Sequence, residues 1–214
     1  MSTDRAMGIA VMALAATLAW QAAHAPPDTI SGHVMMASWA HLPENVGEAV
    51  ELSDEIVVGK VVRVRQAEPL SVEAPGEPDG RHTVPVQAVT FQIEKRLKEP
   101  ADRRERPERV EVFRTGGSDA EGETMMLEGD PEYRPGQRYL LFLADGPELR
   151  VEGSRVLTKS VISPEGRYGV GQDGRLEPAS PRGNSFAARQ RGQPLEQFEG
   201  TIAANVDNPG RGRP

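Results

Sequence analysis

Residues 139–143 read YLLFL, five apolar side chains in succession shortly after the turn-forming stretch Arg134-Pro135-Gly136-Gln137. Successive side chains of a strand point to opposite faces, so such a run asks to be buried on both. Leu140 and Phe142 fall on one side, and Tyr139, Leu141 and Leu143 on the other. In a small closed sheet one of these faces fills the interior, and the other needs a cover that an amphipathic helix supplies. The preceding turn fits type II, with Pro at its second position and Gly at the third, where a positive φ is required.

The rest of the chain fits that plan. EIVVGKVVRVR (55–65) reads as a strand with Ile56, Val58, Val62 and Val64 on one face and Val57, Val61, Arg63 and Arg65 on the other. Gly59 inside it predicts a bulge or a close backbone approach. TVPVQAVTFQIEKRL (83–97) alternates as a long strand, and RVEVFRTGG (109–117) as a shorter one with Val110 and Val112 on one face. EPLSVEAPGEPDGRH (68–82), KEPADRRERPER (98–109) and SDAEGE (118–123) are expected as exposed loops, with a short apolar piece in TMMLEG. ELRVEG (148–153) is expected to pair as a hairpin with YLLFL across Ala144-Asp145-Gly146-Pro147. Short β pieces follow over 157–178, broken by Pro164-Glu165-Gly166 and Asp173-Gly174. Helical spacing marks 39–54, through Val46, Ala49, Val50 and Leu52, and 194–206, through Leu195, Phe198, Ile202 and Val206.

The 22 Gly, 18 Pro and 5% aromatic content favour many turns and short strands over a helical bundle. The predicted fold is therefore all-β with flanking helices: a small closed OB-like β-barrel of five to six strands, one helix before it and one after. The division predicted is residues 1–25 as leader or anchor, 26–42 irregular, 43–178 the barrel domain with its leading helix, 179–193 a linker, 194–206 the C-terminal helix and 207–214 a disordered tail. No internal repeat is present.

A net charge of −7 and a pI near 5.2 argue against non-specific binding to nucleic acid, whose phosphates demand a basic face, and against an anionic membrane surface. The chain contains no cysteine, which excludes disulfides, thiolate catalysis, Cys-ligated zinc and a lipidated N-terminal Cys. After Asp4 and Arg5, the stretch from 6 to 25 carries no charged Asp, Glu, Lys or Arg, and it ends in Ala23-His24-Ala25, the A-x-A pattern of a secretory cleavage site. Export is the expectation, with cleavage after Ala25; an uncleaved 6–25 anchor is the alternative and the one membrane contact foreseen.

The order SDEIVVGKVVRV, VTFQIEKRLK, RVEVFRTGG, YRPGQRYLLFL and ELRVEG, over roughly residues 53–153, resembles the netrin-like domain shared with tissue inhibitors of metalloproteinases. The features that match are apolar spacing, the Gly of EIVVGKVV and the pair Gly136 and Tyr139. The resemblance implies an OB-type barrel. It does not extend to metalloproteinase inhibition, which in that family depends on an N-terminal cysteine that this chain lacks.

No catalytic signature stands out. His33 and His41 are eight apart, a spacing that matches no metal motif, and no Gly-x-Ser-x-Gly elbow, Walker loop or dinucleotide-binding glycine pattern occurs. Ser160 and Ser163 lie among strand and turn residues, where hydroxyls satisfy backbone groups. The segment 118–132 collects Asp119, Glu121, Glu123, Glu128, Asp130 and Glu132; of these Asp119, Glu121 and Glu123 are the candidates for calcium, which takes oxygen ligands. Trp39 and Tyr168 are the candidates for a stacking surface. The reading that follows is a non-enzymatic exported module acting through protein contacts at the cell envelope or outside the cell. Its alternatives are an envelope binder of saccharide or calcium, and a hydrolase whose carboxylates are brought together by folding.

Overall fold

The computed structural model describes residues 32–35, 42–73, 81–101, 106–118, 124–127, 130–179, 183 and 185–208. Eleven strands and two α-helices follow one another among them. Strand β1 is Gly32–Met35, helix α1 Val46–Leu52, β2 Glu55–Gln66, β3 Leu70–Glu73, β4 Arg81–Val84, β5 Val86–Lys98 and β6 Arg109–Ser118. Then come β7 Thr124–Leu127, β8 Arg138–Val151, β9 Ser154–Val161, β10 Arg167–Val170, β11 Leu176–Pro178 and helix α2 Leu195–Asp207. The all-β class with flanking helices is as the sequence predicts.

Five strands form a ring. β2 pairs antiparallel with β5, β5 with β6, β8 with β2 and β9 with β8. The ring closes where β9 meets β6 in parallel, Val112 opposite Lys159. Inside it Val57, Val61, Val89, Phe91, Val110, Val112, Tyr133, Tyr139, Leu141 and Leu143 pack as one cluster. On the outside, Leu140 and Phe142 pack with Ile56, Val58, Tyr168, Ala49, Val50, Phe198 and Ile202. YLLFL is thus divided between two cores as its alternation requires, and α1 and α2 cover its outer face. A third cluster, including Ala67, Val84, Val86, Ala88, Leu149 and Val151, lies apart from these two.

α1 is shorter than the expected 39–54. Asn45 caps it by accepting a hydrogen bond from the Glu48 backbone N–H, 3.0 Å, and the Glu48 carboxylate reaches back to the Glu44 N–H, 2.7 Å. At its other end the Lys98 ammonium donates to the carbonyls of Val50 and Ser53, at 2.7 and 2.5 Å. The Val50 carbonyl also accepts from the Ser53 N–H at 3.3 Å, so the ammonium adds a second, charged donor at the carbonyl end of the helix. Burial lowers the Lys98 pKa, against the pull of Asp54 and Glu51.

Several expectations are corrected. β2 does slip register at Gly59, and slips also between Ile56 and Val57 and between Val61 and Arg63. The slip after Val61 turns Val62 out, 44% exposed, and brings Val64 against the interior cluster, so these two do not continue the face of Ile56 and Val58. YLLFL and ELRVEG are not two hairpin arms. They belong to one strand, β8, which bends at a register shift between Asp145 and Glu148 and turns into β9 only at Glu152-Gly153. Gly146 sits at that bend because a Cβ there would lie 2.8 Å from the Lys159 carbonyl carbon and 2.8 Å from the Thr158 hydroxyl. The loop expected over 68–82 contributes both arms of the β3–β4 hairpin. The segment expected to be irregular, 26–42, includes β1, which pairs parallel with β7. The expected linker 179–193 places Phe186 and Ala187, 3% and 0% exposed, in the core beside α2. The turn at 134–137 matches expectation: Gly136 has φ +81° and the Gln137 N–H bonds the Arg134 carbonyl at 3.0 Å. Asp207 is the last residue of α2, and the rest of the expected tail from 209 lies outside the described residues.

Candidate functional site

Of the residues singled out from the sequence, Trp39, Asp119, Glu121 and Glu123 lie outside the described residues. Tyr168 is fully buried, its ring 5.6 Å from Phe198 and 6.2 Å from Phe142. It has no face left for a ligand to stack on, and its hydroxyl is buried without a hydrogen-bond partner. That burial pushes the phenol far above its ordinary pKa, with the Glu165 carboxylate adding to the shift and Arg189 opposing it. Ser163 has the role expected of it: its hydroxyl accepts from the Glu165 N–H at 3.2 Å and caps the short 3-10 turn Pro164–Gly166. Among the described residues no three His, Asp or Glu side chains converge as a metal site.

The polar centre that folding does create is at one end of the ring interior. On β6 the inward positions run Val110, Val112 and then Arg114, which is 1% exposed. On β10, Arg167 is opposite Leu141 and is 2% exposed. Both arginines hold the segment that joins β7 to β8. Arg167 donates from Nη1 to the Asp130 carboxylate at 2.7 Å and from Nη2 to the Glu132 carbonyl at 3.1 Å. Arg114 donates from Nη1 to the Gln87 side-chain oxygen at 2.8 Å and from Nη2 to the Asp130 carbonyl at 3.3 Å. The Arg167 guanidinium also stacks on Tyr133, whose ring meets Phe91 and Tyr139 edge-on at 5.3 and 5.2 Å.

The same segment is tied to β2. Gly136 donates to the Val61 carbonyl at 2.8 Å and Val61 donates back to the Gln137 carbonyl at 3.0 Å. The Tyr139 hydroxyl donates to the Gln137 side chain at 2.9 Å and accepts from the Arg134 N–H at 3.3 Å. Burial raises the Asp130 carboxyl above its ordinary pKa, while Arg167 and Arg114 pull it down. Burial likewise raises the Tyr133 phenol, with Arg167 opposing. Chemically, the arrangement grips oxygen anions and repels cations.

Sequence reasoning placed Asp130 among the acidic residues of 118–132 but did not find its partners. The signal was present for Arg114, which continues the inward parity of Val110 and Val112. For Arg167 there was none, since its side of β10 is fixed only by pairing with β8.

Elsewhere, a surface depression of about 440 Å³ beside the start of α2 is lined by Lys95, Asp173, Glu196 and Glu199 among others. Its one cation is engaged, Lys95 Nζ lying 2.6 Å from the Glu199 carboxylate. Large apolar side chains reach the surface at Leu52, Val62, Met126 and Leu157, the last 76% exposed. None of the described helices is long and apolar enough to cross a membrane. No protein-family model, curated protein or solved structure matches the chain.

Proposed function

We propose that this chain is an exported, non-enzymatic β module of the cell envelope that acts through protein–protein contacts. The observation that carries the reading is where the apolar side chains are used. Phe91, Tyr133, Tyr139, Phe142, Tyr168, Phe186 and Phe198 are all buried, so the stacking platform by which a barrel of this kind binds sugars is not built from them. Aliphatic side chains are exposed instead, with Leu157 standing out from β9. Isolated exposed aliphatics are ordinary on a monomer, and it is the uncharged run of 6–25, with its Ala23-His24-Ala25 ending, that adds export to the reading. The ring order also supports the OB-type, netrin-like reading of the fold. Three antiparallel strands run in sequence as β2, β5 and β6, and the last ring strand, β9, returns parallel to the third.

Two measurements test this. The full chain, expressed in a bacterial host and probed with protease on intact spheroplasts, is expected to be digested from outside, while a chain lacking residues 6–25 stays protected. Protection of both would refute export. Crosslinking of the exported protein in its own envelope is expected to give a stoichiometric protein adduct that Leu157→Glu weakens. An adduct that forms equally with that variant would remove β9 from the contact, and no adduct at all would remove the contact reading.

A further inference from the structure

Arg114 and Arg167 are almost fully buried, and between them the described residues supply one carboxylate, Asp130. Guanidinium groups stay protonated in proteins, so among the described residues a unit of positive charge is left over beside the rings of Tyr133 and Tyr139. The hydrogen bonding is incomplete in the same sense. The Nε–H donors of both arginines are buried and have no partner. Each guanidinium is nevertheless fixed in orientation, Arg167 by its stack on Tyr133 and Arg114 by Gln87. The carboxylate is the more accessible partner of the pair: the Asp130 side chain is 21% exposed and the Arg167 side chain 3%.

We propose that Arg167, which binds the Asp130 carboxylate, and Arg114, which binds the Asp130 backbone carbonyl, form an oxyanion seat that the Asp130 side chain occupies as an internal ligand of Arg167, and that a small external oxyanion, a carboxylate or a phosphate, takes the seat when that side chain turns out to solvent. Planar forks of N–H donors match carboxylate and phosphate oxygens, which a lone ammonium would not select as well. An incoming dianion cancels the leftover charge, which the single Asp130 carboxylate does not.

The test is thermal unfolding of the full chain titrated with inorganic phosphate and, separately, with malonate, at neutral pH and with ionic strength held constant by chloride. A ligand that binds only the folded state raises Tm in proportion to the logarithm of its concentration above half-saturation. We expect a saturable binding event with a rise of several degrees for one or both anions; which of them produces it names the ligand class. Asp130→Asn keeps the size of the side chain and removes its charge. It should lower the half-saturating concentration and enlarge the anion-dependent rise, while Arg114→Gln should abolish the rise. The Asn variant keeps the question decidable if Arg114→Gln does not fold. No anion-specific rise in either the natural chain or Asp130→Asn would overturn the proposal, as would an unchanged half-saturation in Asp130→Asn.

Discussion

The guanidinium carbon of Arg167 lies 3.5 Å from the centroid of the Tyr133 ring, and the same group donates to the Asp130 carboxylate and the Glu132 carbonyl. One side chain of β10 thus fixes a ring, a carboxylate and a backbone oxygen of the segment between β7 and β8. Arg167→Lys keeps the charge but loses the plane and the fork, leaving part of this set unpaired in a buried site. It should cost about 3 kcal/mol, read as a fall in the urea midpoint with an unchanged denaturant slope. A loss below ~0.5 kcal/mol would place the site among ordinary surface ion pairs.

Tyr168 presents the opposite case, a buried hydroxyl that nothing satisfies. Tyr168→Phe removes the unpaired oxygen and retains the ring that packs on Phe142, Phe186 and Phe198. The variant should equal or exceed the natural chain in stability, by up to about 1 kcal/mol. Differential scanning calorimetry would show this as an unchanged or raised Tm, and a clear fall would mean that the hydroxyl has a partner in solution.

The two buried phenols set an alkaline limit. Tyr133 and Tyr168 both have folded pKa values raised above the ordinary tyrosine value of 10.0. Above about pH 10 the unfolded chain loses these protons and the folded chain keeps them, so the unfolded state binds fewer protons and stability falls as pH rises. Their contribution is fully present below pH 10. Chemical unfolding at a series of alkaline pH values should show the decline, and Tyr168→Phe should make it shallower.

Gly146→Ala tests the bend in β8. The added methyl would lie within 2.9 Å of three atoms of Thr158 and Lys159 on β9, two of them backbone, so the strands must part. We expect a loss of ~2 kcal/mol or more. The same exchange at Gly153, where nothing lies within 4 Å but φ is +77°, should cost less and only through its backbone conformation.

Phe186→Ala tests the docking of the 179–193 segment. A residue 3% exposed, packed with Tyr168 and Phe198, should cost about 3–4 kcal/mol on truncation. A residue in a solvated linker would cost almost nothing.

How much was legible in the sequence follows from the range of the forces involved. The two-faced burial of YLLFL, the turn at Pro135-Gly136 and the C-terminal helix are local patterns of period two or of helical spacing, and they appear in the structure as read. Bulges are not local in that sense. The slip after Val61 reassigns Val62 and Val64, and no residue type there announces it. The bend at Asp145-Gly146-Pro147 has the composition of a turn, yet pairing with β9 carries β8 through it. Phe186 stands in a polar stretch whose average character hides a single anchoring side chain. The polar centre was the least visible, since charged residues read as solvated until the strand pairing shows which of them face inward.

The outer face of β8 has a further bearing on how the chain is made. Leu140 and Phe142 are made well before Phe198 and Ile202, which cover them from α2. The parallel closure of the ring likewise waits for Lys159 to reach Val112. During synthesis the nascent chain therefore carries an interval of uncovered apolar strand that closes only once α2 has been made. The same delay makes any product truncated before α2 prone to aggregate and a target for quality-control proteases.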